Sequence, residues 1–186
     1  MIIIGITGTL GAGKGTVVDY LVRNKGFVHY SVRGLITEEL NKRGMPVNRD
    51  TLTNLANELR ADNSPAYLIE LLYEKAYKNG KNCIIESIRT PGEIEMLKSK
   101  PNFFLLAVDA ESKTRYERIV ERASETDNVS FETFLENEKR EMQSTDPNKQ
   151  NLSECIRQAD FVINNNGNVS ELYNQTEEIY QKLTND

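Results

Sequence analysis

The chain alternates short apolar runs with longer amphipathic stretches. The first run, Ile2-Ile3-Ile4-Gly5-Ile6, is apolar throughout and predicts a strand buried on both faces. A helix follows over about Lys14 to Asn24, with Val17, Val18, Leu21 and Val22 on its apolar side, and Lys25-Gly26 ends it. Phe27 to Tyr30 is a second strand. Ser31 then caps a helix from Val32 to Lys42, Asp50 is expected to cap the next, and Ser64-Pro65 to open a third that stops at Asn79-Gly80. Asn82-Cys83-Ile84-Ile85 is a third strand, and a short helix spans about Gly92 to Lys98. Phe103 to Val108 is the fourth strand, ending at Asp109. Helices are predicted from Ser112 to Ala123, broken at Thr126-Asp127-Asn128, and from Phe131 to Met142 after the cap Ser130. Gln143 to Leu152 is polar and predicts a loop. Phe161-Val162-Ile163 is the fifth strand, Asn164 to Gly167 a turn, and Ser170 to Leu183 the last helix. Strands and helices in alternation predict a parallel α/β sheet with helices on both faces. Residues 31–80 are almost wholly helical, more than a crossover needs, so they predict a helical subdomain over the sheet mouth.

Between the first strand and the first helix lies Gly8-Thr9-Leu10-Gly11-Ala12-Gly13-Lys14-Gly15-Thr16. Strand, Gly-x-x-x-x-Gly-Lys and helix together match a phosphate-binding P-loop. Gly8, Gly11, Gly13 and Gly15 are expected to permit turns that side chains would block. Successive N–H groups, including those of Leu10 and Ala12, then face a phosphate, backed by the positive end of the helix dipole. Lys14 adds a point charge for the outer phosphates and Thr16 a hydroxyl for Mg²⁺. The usual pattern has Ser or Thr directly after Lys, whereas here Gly15 intervenes. Ser31, Glu86, Arg89, Asp109 and the Asn164–Gly167 turn also fall at C-terminal strand ends, where such sheets bind ligands.

The length, 186 residues, suits one domain, with 38% hydrophobic and 27% charged residues. A net charge of −5 argues against general nucleic-acid or anionic-membrane binding. No apolar run approaches a membrane span, and the N-terminus opens on a core strand without a signal-peptide pattern, so a cytoplasmic protein is expected. Cys83 and Cys155 lack metal-ligand spacing and read as reduced core thiols. His29, the only histidine, reads as structural.

Gly11-Ala12-Gly13-Lys14-Gly15-Thr16 resembles the P-loop of adenylate kinase and other nucleoside monophosphate kinases, in which Gly-Thr after Lys is normal. Tyr30-Ser31 with Leu35-Ile36-Thr37-Glu38-Glu39 resembles the Ser-Thr-Gly-Asp-Leu-Leu-Arg opening of their substrate helices. Thr37 stands where they have Arg, and Arg33 is the expected substitute. Glu86-Ser87-Ile88-Arg89 resembles their Asp-Gly-Phe-Pro-Arg. With Thr90, Pro91 and Glu93 it is similar to the acid–Gly–Ile–Arg–Ser/Thr–Pro–x–Glu pattern of a further adenylate-kinase-like group. Ala159 to Asn164 with Gly167 looks like dephospho-coenzyme A kinase. The resemblance implies a P-loop NTPase three-layer α/β/α fold, with five parallel strands in order 2-3-1-4-5. It implies a core of 1–30, 81–110 and 155–186, an acceptor-binding insertion at 31–80, and a lid reduced to a helical hairpin at 111–152. Arg115, Arg118 and Arg122 share one helix face at i, i+3 and i+7, where lid arginines begin in that family, beside a stripe of Tyr116, Ile119, Val120 and Ala123 expected to face the core.

Phosphoryl transfer needs positioning and charge neutralisation more than covalent chemistry. The expected machinery is therefore Lys14, Arg118 and Arg122 on the transferring phosphate, Thr16 and Glu86 toward Mg²⁺, with Asp109 as a second candidate for that task. Ser31, Arg33 and Arg89 are expected on the acceptor, and Asn165, Asn166 and Gly167 at the adenine. Arg115 is left open between a phosphate clamp and a solvated face. The expected activity is an ATP-dependent kinase for a nucleoside or deoxynucleoside monophosphate, monomeric or homodimeric. Dephospho-coenzyme A kinase and a nucleotide-dependent switch ATPase are the alternatives.

Overall fold

The computed structural model describes residues 1–122, 129–144 and 150–185; the side chains of Arg49 and Thr53 are not described. The expected break at Thr126-Asp127-Asn128, and Ala123 before it, lie outside the described residues. The elements run β1 (Ile3–Gly8), α1 (Lys14–Lys25), β2 (Val28–Ser31), α2 (Val32–Lys42), α3 (Arg49–Asp62), α4 (Tyr67–Asn79), β3 (Cys83–Glu86) and α5 (Pro91–Lys98). Then come β4 (Phe103–Asp109), α6 (Ser112–Arg122), α7 (Phe131–Met142), α8 (Leu152–Arg157), β5 (Phe161–Asn164) and α9 (Val169–Asn185).

The strands form one sheet in the order β2-β3-β1-β4-β5, with every described pairing parallel. β1 is central and buried at all six positions, as its unbroken apolar run requires. Alternation divides the core between two faces. Ile4, Ile6, Ile84 and Val108 pack with Val17, Val18 and Leu21 of α1 and Leu172 and Ile179 of α9. Ile3, Cys83, Ile85 and Leu105 pack with α4, α5 and α8 on the other side. A smaller core of Ile36, Leu40, Leu55 and Leu68 joins α2, α3 and α4. Cys83 and Cys155 are both fully buried and unpaired, and burial pushes both thiols up to about 12.

Four local expectations change. Asn48, not Asp50, caps α3, in a reciprocal capping box with Thr51. The Ser64-Pro65 step forms a turn, and α4 begins at Tyr67; its inward stripe is Leu68, Ile69, Leu72, Tyr73 and Ala76, with Leu71 half-buried. α8 begins at Leu152, the last residue of the expected loop, and runs on through residues for which no element was expected, because six residues are too short to show a period in sequence. On α6 Val120 is 51% exposed, while Arg115 is only 3% exposed and takes the inner position.

Candidate active site

The chain between β1 and α1 turns on three glycines in the left-handed region, Gly8 (φ 132°), Gly11 (φ 79°) and Gly13 (φ 98°). A Cβ at Gly8 would lie 1.9 Å from the Val108 carbonyl oxygen, one at Gly11 2.6 Å from the Arg115 carbonyl oxygen, and one at Gly13 2.4 Å from Asn165 Nδ2. Gly15 differs from expectation. It is already inside α1, and a Cβ there would meet nothing within 4 Å.

Each surrounding element braces this loop. The Thr9 hydroxyl donates to Asp109 Oδ1 (2.6 Å), which also accepts from the Ala110 amide. Asn165, 6% exposed, donates to the Ala12 carbonyl at 2.8 Å. Arg118 donates to the carbonyls of Asn165 (2.8 Å) and Gly167 (3.2 Å), and Asn166 Oδ1 accepts from the Glu111 amide. So Asn165–Gly167 is joined on one side to the loop and on the other to α6. Arg115 resolves as a brace: its guanidinium donates to the carbonyls of Ala110 and Leu10 and pairs with Glu138 of α7. Buried and anchored this way, it is neither a solvated face nor an arginine reaching outward.

Lys14 Nζ donates to the carbonyls of Gly8 (2.9 Å) and Thr9 (2.7 Å). Burial, seconded by the charge of Arg89, pulls its ammonium down to about 8, against the opposing carboxylates of Glu86 and Glu141. Glu86 ends β3 on the same sheet face as Ile84, and so on the side of α1. His29 of β2 meets it: Nε2 lies 2.9 Å from Glu86 Oε2. That contact, and then the charges of Lys14 and Arg89, hold the Glu86 carboxyl below its ordinary range. β2 pairs with β3 so that Ser31 lies opposite Glu86, which brings His29, two residues earlier, onto the same face.

A cleft of about 680 Å³ opens beside the loop, lined by Thr9, Leu10, Arg33, Arg89, Arg115 and Arg122, and by Asn137, Arg140 and Glu141 of α7. Arg33, Arg89 and Arg122 were singled out in sequence; Asn137, Arg140 and Glu141 were not, since α7 looks there like an ordinary charged helix. The Ser31 hydroxyl caps α2, accepting from the Gly34 amide at 3.0 Å. Among the described residues no cluster of three or more His, Cys, Asp and Glu has metal-binding geometry. Thr16 and Glu86 nonetheless offer hard oxygen donors of the type Mg²⁺ takes together with phosphates.

A family model described as an AAA domain (AAA_18) matches residues 4–146. A UPF0200 protein of Methanococcus maripaludis is 30% identical over 188 residues, spanning all of this chain and 99% of that protein. A UPF0200 protein of Methanocaldococcus jannaschii is 29% identical, over all of this chain and 92% of its own. Among solved structures, TT1252 from Thermus thermophilus superposes with a TM-score of 0.66 at 22% identity, covering 98% of each chain. Dephospho-CoA kinase from Campylobacter jejuni gives 0.60 at 13% identity (99% and 98%). Shikimate kinase from Bacteroides thetaiotaomicron gives 0.55 at 14% (100% and 99%). These likenesses agree with the braced loop and strand order in specifying a P-loop kinase-like fold. With an AAA-domain match over most of its length and a relative at 30% identity end to end, the chain belongs to the UPF0200 family.

Proposed function

We propose that this protein transfers the γ-phosphate of ATP to a small phosphorylated acceptor, a nucleoside or deoxynucleoside monophosphate. The observation that carries the reading is the cleft itself: it runs from the phosphate loop past Arg33, Arg89, Arg122 and Arg140, a run of guanidiniums suited to a second phosphate group. Loop amides and Lys14 would hold the β- and γ-phosphates, and Arg122, which lines the cleft, would face the transferring group from α6, whereas Arg118, expected there too, has both Nη atoms on the Asn165 and Gly167 carbonyls. Arg118 would hold the Asn165–Gly167 turn against the adenine. Thr16 and Glu86 would hold Mg²⁺, which supplies charge neutralisation on the phosphate oxygens. Arg89 and Arg33 would grip the acceptor phosphate beside the α2–α4 lobe, with Ser31 shaping its first turn. A ribose-hydroxyl acceptor of the dephospho-coenzyme A kind is the second reading. It is favoured by the His29–Glu86 contact, since a hydroxyl acceptor must give up a proton and a phosphate acceptor need not.

A coupled ADP-release screen over nucleoside monophosphates, deoxynucleotides and dephospho-coenzyme A, with and without Mg²⁺, tests the proposal. Release strongly stimulated by one nucleoside monophosphate is the expected result; release indifferent to every acceptor would favour a switch ATPase instead.

Two further results follow. ATP binding should take up protons near pH 8, because bound phosphate favours charged Lys14 while the free protein holds that ammonium at about 8. Affinity is then highest below pH 8 and falls above it. Folding stability moves the other way: between about 8 and the ordinary lysine value the unfolded chain keeps a proton that the folded chain has lost, so stability rises with pH. Calorimetry in buffers of different ionisation heat reads the uptake, which Lys14→Met removes. Separately, Arg89→Lys keeps the charge and loses the two-pronged hydrogen bond. It should raise the acceptor KM and lower kcat while the ATP Kd stays near wild type. An acceptor KM left unchanged beside a weakened ATP Kd would move Arg89 to the donor site.

A further inference from the structure

Arg89, though exposed, is held through its amide, its carbonyl and its side chain. Ser87, two positions earlier, has a positive φ of 75°, a strained conformation for a residue with a side chain, at the place where the resembling pattern has glycine. Ile88 is locked to β1 at both ends: its amide donates to the Ile6 carbonyl (3.3 Å), and its carbonyl accepts from the Thr7 hydroxyl (2.8 Å). Glu93, 2% exposed, accepts from the amides of Arg89 (2.8 Å) and Thr90 (3.1 Å) through one carboxylate oxygen. The far side is closed by residues just ahead of α8. The Asn151 amide donates to the Arg89 carbonyl at 3.0 Å, and Gln150 Oε1 accepts from Arg89 Nη1 at 3.0 Å. Asn151 in turn caps α8 and donates to the carbonyl of Ser144, two residues past the end of α7.

We propose that Gln150 is a positioning residue for Arg89: by taking Nη1 it fixes the guanidinium plane and turns the Nε–Nη2 edge to the acceptor's anionic group. A guanidinium presents five donors in a rigid fork, so tying down one nitrogen leaves a complete two-donor edge for a phosphate. Among the described residues, the Gln150 contact is the one hydrogen bond recorded for the Arg89 side chain, and it uses Nη1 alone. Pre-ordering a long side chain before it binds removes part of the entropy cost of binding. Asn137, Arg140 and Glu141 of α7 line the same cleft as Arg89. This inference rests on the reading of Arg89 as the acceptor arginine.

The test uses inorganic phosphate as the probe, titrated into full-length protein saturated with ADP and followed on the Arg89 side-chain NMR signals, assigned by their loss in Arg89→Lys. In wild type the two Nη signals should be distinct, reporting hindered rotation, and phosphate should shift the Nε–H signal. Gln150→Ala should merge the Nη signals and raise the phosphate midpoint by roughly two- to tenfold, the cost of ordering one long side chain at the moment of binding. Gln150→Glu, which keeps an acceptor oxygen, should keep the Nη signals distinct; a purely structural role would not separate the two variants in this way. Distinct signals and an unchanged midpoint in Gln150→Ala overturn the positioning role and leave the acceptor reading standing. Phosphate that fails to move the wild-type Arg89 signal overturns the acceptor reading, and this inference with it.

Discussion

Lys14→Ala should reduce phosphoryl transfer by roughly 10²–10³-fold or more while the protein stays folded, the scale seen when a preorganised charge-stabilising group is removed. Lys14 is the cation closest to the loop, with Nζ on the carbonyls of Gly8 and Thr9, so it is held where a phosphate oxygen would replace those carbonyls. Burial already disfavours its charge in the free protein, down to about 8. Deleting the side chain therefore removes a cation whose charge burial already disfavours. Unfolding curves should be close to wild type, and the rate loss should persist at saturating ATP. Near-normal turnover by a folded Lys14→Ala protein would take the loop out of the mechanism.

Gly8→Ala should lower stability by about 3–5 kcal/mol and abolish nucleotide binding, from the combined cost of a left-handed residue and overpacking. At Gly8, φ is 132° and the new Cβ would fall 1.9 Å from a backbone oxygen of β4, which cannot rotate aside as a side chain can. β1 pairs with β4 through Gly8 opposite Val108, so relief would come only by parting the central strands at the point where the loop begins. Gly15→Ala is the matched control. It lies in the first turn of α1 with open space around it, and alanine there should be neutral or slightly stabilising. Thermal unfolding of the two variants separates a glycine required by the backbone from one that is not; equal destabilisation would contradict the loop geometry.

Much of the fold was legible because its signals are local. The apolar run of β1, the Gly-x-x-x-x-Gly-Lys spacing and the amphipathic face of α1 lie within the first 25 residues, and the helical stretch over 31–80 carries its own period. The rest depends on contacts far apart in the chain. Arg115 looks like Arg118 and Arg122 in sequence, and only the fold supplies Glu138, 23 positions later, and the Leu10 carbonyl, 105 positions earlier, that take it inside. Val120 is exposed for the same reason, since Arg115 occupies the inward turn. His29 reads as an ordinary strand residue until parallel pairing lays β2 beside β3 and brings it against Glu86, 57 positions on. Arg140, Glu141 and Gln150 carry no motif, and they reach the cleft or Arg89 only through the packing of α7 and α8.

On the proposed function, the γ-phosphate leaves ATP for a small phosphorylated acceptor under the control of the loop at residues 8–16. The most direct test follows γ-labelled ATP incubated with the purified protein, Mg²⁺ and a panel of nucleoside monophosphates, with the products separated. Label transferred onto one acceptor, little label as inorganic phosphate, and loss of transfer in Lys14→Ala are the expected results. Label released only as inorganic phosphate, at a rate no acceptor changes, would contradict the proposal.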